Sequence, residues 1–302
     1  MSHKKFFHWN GFFCLLVVLT LLCGGTAWAK EADAPTKTGI VLALFGSSDP
    51  AVQSYVDAFA AKVRKAYPEA VVELAYTSAR ARESLRERKK MAPSVAEALA
   101  SMPDKGVRSV VLQSLHVMPG QEFNDMLRTG EALRGLPKGL QDIRFGFPLV
   151  GTPDTLGETA EAVLASLPRR GKGDAVLFVG HGTEHVGGLA YPALQYALWE
   201  RDSNAFISVL EGVEDGQSGV LSPEAALRHL KKAGVKKVYL APLLNTAGVH
   251  MKEDIVGPEK DSWTNVLRKH GFEVVEVRRG LLESPAVQNV FLKRIKTALG
   301  TK

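Results

Sequence analysis

Gly106-Val107-Arg108-Ser109-Val110-Val111-Leu112 and Gly234-Val235-Lys236-Lys237-Val238-Tyr239-Leu240 are one phrase written twice. Each starts at a glycine, passes through basic residues and enters an apolar run of strand length. The offset between them also superposes Gly120 on Gly248 and Glu122 on His250. A second, slightly longer offset superposes Gly46 on Gly180, Ser47 on His181 and Thr77 on Glu211. A repeat much longer than about 50 residues is no solenoid unit. It predicts two similar lobes related by a pseudo-two-fold axis and facing a shared cleft.

Around this phrase, apolar runs of strand length alternate with amphipathic stretches of helix length. Strands are expected over 39–45, 70–76, 109–115 and 143–149, then again over 175–179, 205–210, 237–243 and 273–277. Helices are expected over 50–66, 80–101, 121–134, from 155, and over 189–202, 222–233, 260–270 and 284–299. Such alternation implies an α/β fold in which each lobe has a parallel sheet flanked by helices. The lobes are expected over 38–170 and 171–300, with the cleft between them.

The chain has 302 residues, of which 45% are hydrophobic and 23% charged, a globular composition. Residues 1–29 hold Lys4 and Lys5, a short apolar core and an Ala27-Trp28-Ala29 end, the pattern of a cleaved export signal. The apolar run is shorter than the ~20 residues of a membrane span, so no stable membrane anchor is expected after cleavage. Beyond residue 29 the chain carries 36 Lys and Arg against 32 Asp and Glu, a net charge of +4. That mild excess, with no basic run interleaved with aromatics, gives no warrant for a nucleic-acid partner. Cys14 and Cys23 both fall within the signal, so the mature chain has no disulfide, thiolate metal site or cysteine nucleophile.

Ligands of open α/β sheets bind beyond the carboxyl ends of the strands. That edge gathers Ser47, Ser48, Thr77 and His116 in the first lobe, and His181, Glu211, Asn245 and His250 in the second. Where the first lobe has Ser47, Thr77 and Glu122, the second has His181, Glu211 and His250. Two imidazoles and a carboxylate at three strand ends form a donor set for Co, Ni, Fe or Zn. His229 and His270 lie in helical stretches beside Lys and Arg and read as surface residues. His181-Gly182-Thr183-Glu184-His185 also matches a metallopeptidase pattern, which would give a metallohydrolase through His181 and His185. That chemistry needs a helix, and glycines flanking His181 disfavour one. No Walker A loop, G-x-G-x-x-G or G-x-S-x-G is present.

Several ordered motifs resemble the class II tetrapyrrole chelatases, specifically the anaerobic cobaltochelatase (CbiK) family. They are Phe45-Gly46-Ser47-Ser48, the segment from Gln113 through His116 to Glu122, Phe178-Val179-Gly180-His181-Gly182, Val209-Leu210-Glu211 and Ala247-Gly248-Val249-His250. The export signal is similar to that of the family's periplasmic form, so a periplasmic location is expected. The resemblance implies a chelatase-like fold and ATP-independent insertion of Co2+, with Fe2+ as the other candidate, into sirohydrochlorin or a related tetrapyrrole. It makes His181, Glu211 and His250 the metal-binding and catalytic residues. It also brings in a non-covalent haem b with His116 as candidate axial ligand, and a homo-oligomer. The alternative reading is a periplasmic haem or metal carrier that retains the fold.

Overall fold

The computed structural model describes residues 37–211, 222–248 and 251–300. The expected signal over 1–29 lies outside these residues, and Thr36–Lys302 form one compact unit. Every residue of β1 (Lys37–Leu44) from Gly39 onward is buried, as expected for a central parallel strand covered on both faces. Asp49 caps α1 (Pro50–Ala66) by accepting the Ala51 N–H at 3.0 Å, and Pro50 supplies a helical φ in the first turn. Val52, Val56, Phe59, Ala60 and Val63 form the buried stripe that fixes this helix on the sheet.

The helix expected over 80–101 is two helices. After β2 (Val71–Tyr76), Ser78 caps α2 (Ala79–Glu87), and Ser94 with Glu97 forms a capping box that starts α3 (Val95–Ser101). Pro93 separates them, because proline disfavours helical backbone in the residue before it. The first lobe continues with β3 (Val107–Ser114), α4 (Gln121–Leu133) and β4 (Asp142–Gly146). α5 (Leu156–Ala165) leads to the second lobe, with β5 (Ala175–Gly182), α6 (Ala190–Trp199), β6 (Ala205–Glu211), α7 (Pro223–Lys232), β7 (Lys237–Pro242), α8 (Trp263–Lys269) and β8 (Glu273–Glu276). The last helix is α9 (Pro285–Leu299).

The two sheets run β2-β1-β3-β4 and β6-β5-β7-β8, and all their pairings are parallel. This is the expected α/β architecture of two similar lobes. In each sheet the chain reverses its direction of winding between the first and third strands, and the carboxyl ends there open a crevice. One apolar core runs through both lobes, joining Ile40, Leu42 and Phe59 to Phe178, Leu194 and Phe291. The outer faces have separate cores, around Leu99, Met102 and Phe123 in the first lobe and around Leu177, Ile255 and Leu267 in the second.

α9 crosses back and packs on β3, β4 and α5 of the first lobe. Its Phe291 meets Phe59 of α1 with ring centroids 6.2 Å apart, and both rings are buried. Arg294 donates to the Leu149 carbonyl at 2.6 Å, while Arg144 donates to the carbonyls of Ala298 and Leu299. The final helix therefore ties the end of the chain to its beginning. Phe291→Ala is expected to lower stability by about 3–5 kcal/mol through the cavity it leaves. In urea, circular dichroism and tryptophan fluorescence should still report one shared transition. Two separated transitions would show that the lobes do not share this core energetically.

Candidate functional site

The carboxyl end of β5 presents His181 between two glycines, and each glycine is needed. A Cβ on Gly180 would lie 2.5 Å from a ring carbon of Tyr191. Gly182 has φ +88°, and a Cβ there would lie 1.8 Å from the Glu211 carbonyl oxygen. The Gly182 N–H donates to the Tyr191 hydroxyl at 3.1 Å. β5 thus passes between the ring of α6 and the end of β6, with Gly182 in register with Glu211.

This passage sets the His181 side chain beside that of Glu211, with Nδ1 3.6 Å from Oε2. Nδ1 also lies 3.3 Å from the Gly182 carbonyl. A proton on Nδ1 donating to that carbonyl leaves Nε2 with the lone pair that a metal needs. The two side chains keep 39% and 61% of their surface, so a hydrated cation can reach both. The third expected member, His250, lies outside the described residues. Among the described residues no three metal-binding side chains cluster.

Sheet register corrects which first-lobe residues answer to this pair. Val110 pairs with Gly39, and its repeat Val238 pairs with Ala175. Phe45 therefore answers to His181, and Gly46, with φ +102°, answers to Gly182. Leu44 pairs with Tyr76 as Gly180 does with Val209, so Ser78 answers to Glu211. The expected counterparts Ser47 and Thr77 sit two residues past Phe45 and one before Ser78. Ser47 is a loop residue instead: its Oγ accepts the Asp49 N–H, and its carbonyl accepts from Gln53 at 2.6 Å. Glu122 stands in the first turn of α4.

The other repeat offset holds in the backbone, because Leu149 donates to the His116 carbonyl as Leu281 does to that of Leu244. His116 is held on both ring nitrogens, by Ser114 Oγ at Nδ1 (2.9 Å) and Thr77 Oγ1 at Nε2 (3.2 Å). Burial lowers its pKa from 6.5 to about 4. With both nitrogens taken by hydroxyls, the residues here do not fit an axial bond to haem iron.

His185 is likewise engaged twice, accepting the Gly187 N–H at Nδ1 (2.9 Å) and meeting the Asn124 amide at Nε2 (2.7 Å). It caps a short 3-10 turn over Val186–Leu189, and His181 belongs to a strand. The helix that a metallopeptidase motif requires is not formed.

The two lobes are pinned together beside the site. Buried Asn245 donates to the Leu115 carbonyl at 2.6 Å, and the Ala247 N–H donates to the Tyr55 hydroxyl at 2.8 Å. A Cβ on Gly248 would come within 3.4 Å of Ser47 Oγ, and one on Gly187 within 2.0 Å of the Pro119 carbonyl. Asn245 stands at the edge expected from sequence, but as a strut between lobes. Tyr55 and Tyr191 were not anticipated. Each reads as an ordinary helix residue, and only the tertiary partner of its hydroxyl marks it.

The cobalt chelatase (CbiK) family model matches residues 38–300. The sirohydrochlorin cobaltochelatase CbiKC of Nitratidesulfovibrio vulgaris is 34% identical over 265 residues, covering 87% of this chain and 91% of the relative. The sirohydrochlorin cobaltochelatase of Salmonella typhimurium is 26% identical over 203 residues, 67% of this chain and 73% of its own. Among solved structures, SirB from Bacillus subtilis with Fe3+ superposes with a TM-score of 0.59 at 16% identity, covering 87% of this chain and 96% of SirB. The sirohydrochlorin chelatase SirB in complex with cobalt gives 0.57 at 15% identity, with the same coverage. These structures share the fold.

Two outcomes follow from the geometry. Gly182→Ala should lower stability by more than about 1 kcal/mol, since a left-handed backbone and a backbone clash coincide; a midpoint in urea equal to wild type would contradict it. His116 takes up its proton only near pH 4 when folded but near 6.5 when unfolded. Its contribution to stability is therefore complete above pH 6.5 and lost as pH falls toward about 4. His116→Gln should flatten the stability profile in that window, and parallel profiles would contradict the assignment.

Proposed function

This chain belongs to the cobalt chelatase (CbiK) family, and from that membership we propose that it inserts Co2+ into sirohydrochlorin without ATP. His181 and Glu211 are the described part of the metal-handling set, and His250 completes it. The single observation that carries the residue assignment is the 3.6 Å approach of His181 to Glu211 at the carboxyl edge of β5 and β6. The matched family does not by itself name these two side chains; their convergence at the crevice supports the choice.

The reaction requires Co2+ to shed water and two pyrrole N–H protons to leave as the metal–nitrogen bonds form. His181 supplies an imidazole nitrogen to the incoming cation. Glu211 supplies the negative charge that offsets the lost hydration and can take a proton. An imidazole can serve both as a metal ligand and as a proton acceptor. Fe2+ uses the same donors, so preference between the two metals rests on geometry and supply. The export pattern over residues 1–29 supports placing this activity in the periplasm. The alternative, a haem or metal carrier, loses its strongest residue because His116 is engaged at both nitrogens.

Anaerobic absorbance of sirohydrochlorin with Co2+ tests the proposal. Wild type should accelerate insertion, and His181→Ala, Glu211→Gln and His250→Ala should each reduce the rate by about 10²–10⁴-fold. Wild-type protein that leaves the buffer rate unchanged would overturn the activity. Variants with wild-type rates would overturn the residue assignment.

A further inference from the structure

Residues 79–91 concentrate charge at the mouth of the first lobe. Arg80, Arg82, Arg86, Arg88, Lys89 and Lys90 stand there against Glu83 and Glu87, a net charge of +4. That equals the whole excess beyond residue 29, so the rest of that chain is balanced. The segment begins directly after β2 ends. Ala81 packs on Gly46, where a Cβ would come within 3.1 Å of it, so α2 borders the loop that follows β1. Two of the six cations have local work. Arg82 donates to the Tyr76 and Thr77 carbonyls at 2.9 and 2.8 Å, and Arg86 pairs with Glu97 at 3.1 Å. Arg80, Arg88, Lys89 and Lys90 are exposed, and none of them has an ion pair among the described residues. Arg88 lies near enough to Asp49 to help hold its carboxyl below the usual range, behind the larger effect of Lys252. Asp49 of the first lobe and Lys252 of the second meet in an ion pair, so the basic segment reaches the rim where the lobes join.

Lys89 adds an independent observation. Its φ is +57°, in the left-handed region. The N–H of Lys90 donates to Leu85 (2.9 Å) and that of Lys89 to Arg86 (2.8 Å), closing the helix in a Schellman turn. Glycine is the favoured residue at that position, and a lysine there is strained. Charge near the helix dipole is already supplied by Arg86 and Arg88, so the dipole does not require a lysine at the strained site. A cation kept against its backbone preference at the rim of a site points to a role outside the helix.

We propose that Arg80, Arg88, Lys89 and Lys90 form a subsite for the peripheral carboxylates of the macrocycle, holding a polycarboxylate tetrapyrrole over the crevice while His181 and Glu211 receive the metal. This rests on the chelatase reading for the identity of the ligand. The subsite acts on the organic substrate and leaves metal binding alone.

Two measurements separate the claims: metal-free binding of sirohydrochlorin followed by its absorbance, and steady-state insertion with tetrapyrrole and Co2+ varied in turn. Arg80→Gln/Lys89→Gln/Lys90→Gln should weaken tetrapyrrole binding and raise its KM by about tenfold, and should flatten the dependence of binding on salt. The KM for Co2+ and kcat should stay within about twofold of wild type. Lys89→Arg/Lys90→Arg should keep wild-type binding. Lys89→Gly should raise Tm while weakening binding, a combination that a structural role would not produce. Unchanged tetrapyrrole affinity in the triple variant, or equal losses for Co2+, would overturn the subsite. Wild type that binds the macrocycle without turnover, with binding still lost in the triple variant, would overturn the activity and support the subsite.

Discussion

β5 ends in a space with no room for a side chain on either side of His181. The Tyr191 ring lies against Gly180 and the Glu211 carbonyl against Gly182. That squeeze converts a hydrophobic parallel strand, whose inner residues only fill a core, into a platform that holds one imidazole at a fixed height above the sheet. The same backbone contact places Glu211 in register beside it. The position of the His181–Glu211 pair is thus a consequence of strand pairing. Sites built on regular elements hold geometry better than sites built on loops.

The first lobe uses the same framework for another purpose. Its Gly46 repeats the left-handed turn of Gly182, yet the residue before it is Phe45, 46% exposed, where the second lobe has His181. Where the first lobe has His116, the second has Leu244. His116 is tied into the first lobe by Ser114 and Thr77 and kept neutral by burial. Duplicated backbones therefore carry different edges: one presents His181 beside Glu211, and the other an apolar and hydrogen-bonded wall flanked by the basic segment of α2.

The strands were legible because parallel strands buried on both faces read as continuous apolar runs, as 40–44 and 175–179 do. Helix limits were legible where caps are explicit, such as Asp49-Pro50 and Ser222-Pro223. The break inside 80–101 was written in Pro93-Ser94 but masked by helix-favouring residues on both sides. Pairing Ser47 with His181 was wrong by two residues because glycines were matched in sequence, whereas hydrogen-bond register decides which residues share a level. Three features had no local signature: α9 crossing to the first lobe, the hydroxyl partners of His116, and the two tyrosines that fix loops beside the site. Thr77 at His116, Tyr55 at Ala247 and the packing of α9 depend on contacts between residues far apart in the chain. The approach of His181 to Glu211 was legible, since each ends an apolar run.

Those distant contacts also determine how the two lobes behave as a body. Asn245 donates to Leu115 but its own Oδ1 is buried without a partner among the described residues, an arrangement that costs about 1–3 kcal/mol. An apolar residue at 245 would avoid that cost, but would leave the Leu115 carbonyl unpaired and release the strand end from the opposite lobe. Tyr55 makes the second tie on the same loop, and the core shared by Phe59, Phe178 and Phe291 makes a third beneath it. Swinging the lobes apart would break both hydrogen bonds and expose that core at once. Interaction with a large planar substrate therefore falls to the edge residues and surface side chains. A cleft tied at three points with a charged rim suits a reaction in which the macrocycle must be held in one orientation and the metal must arrive from a defined side.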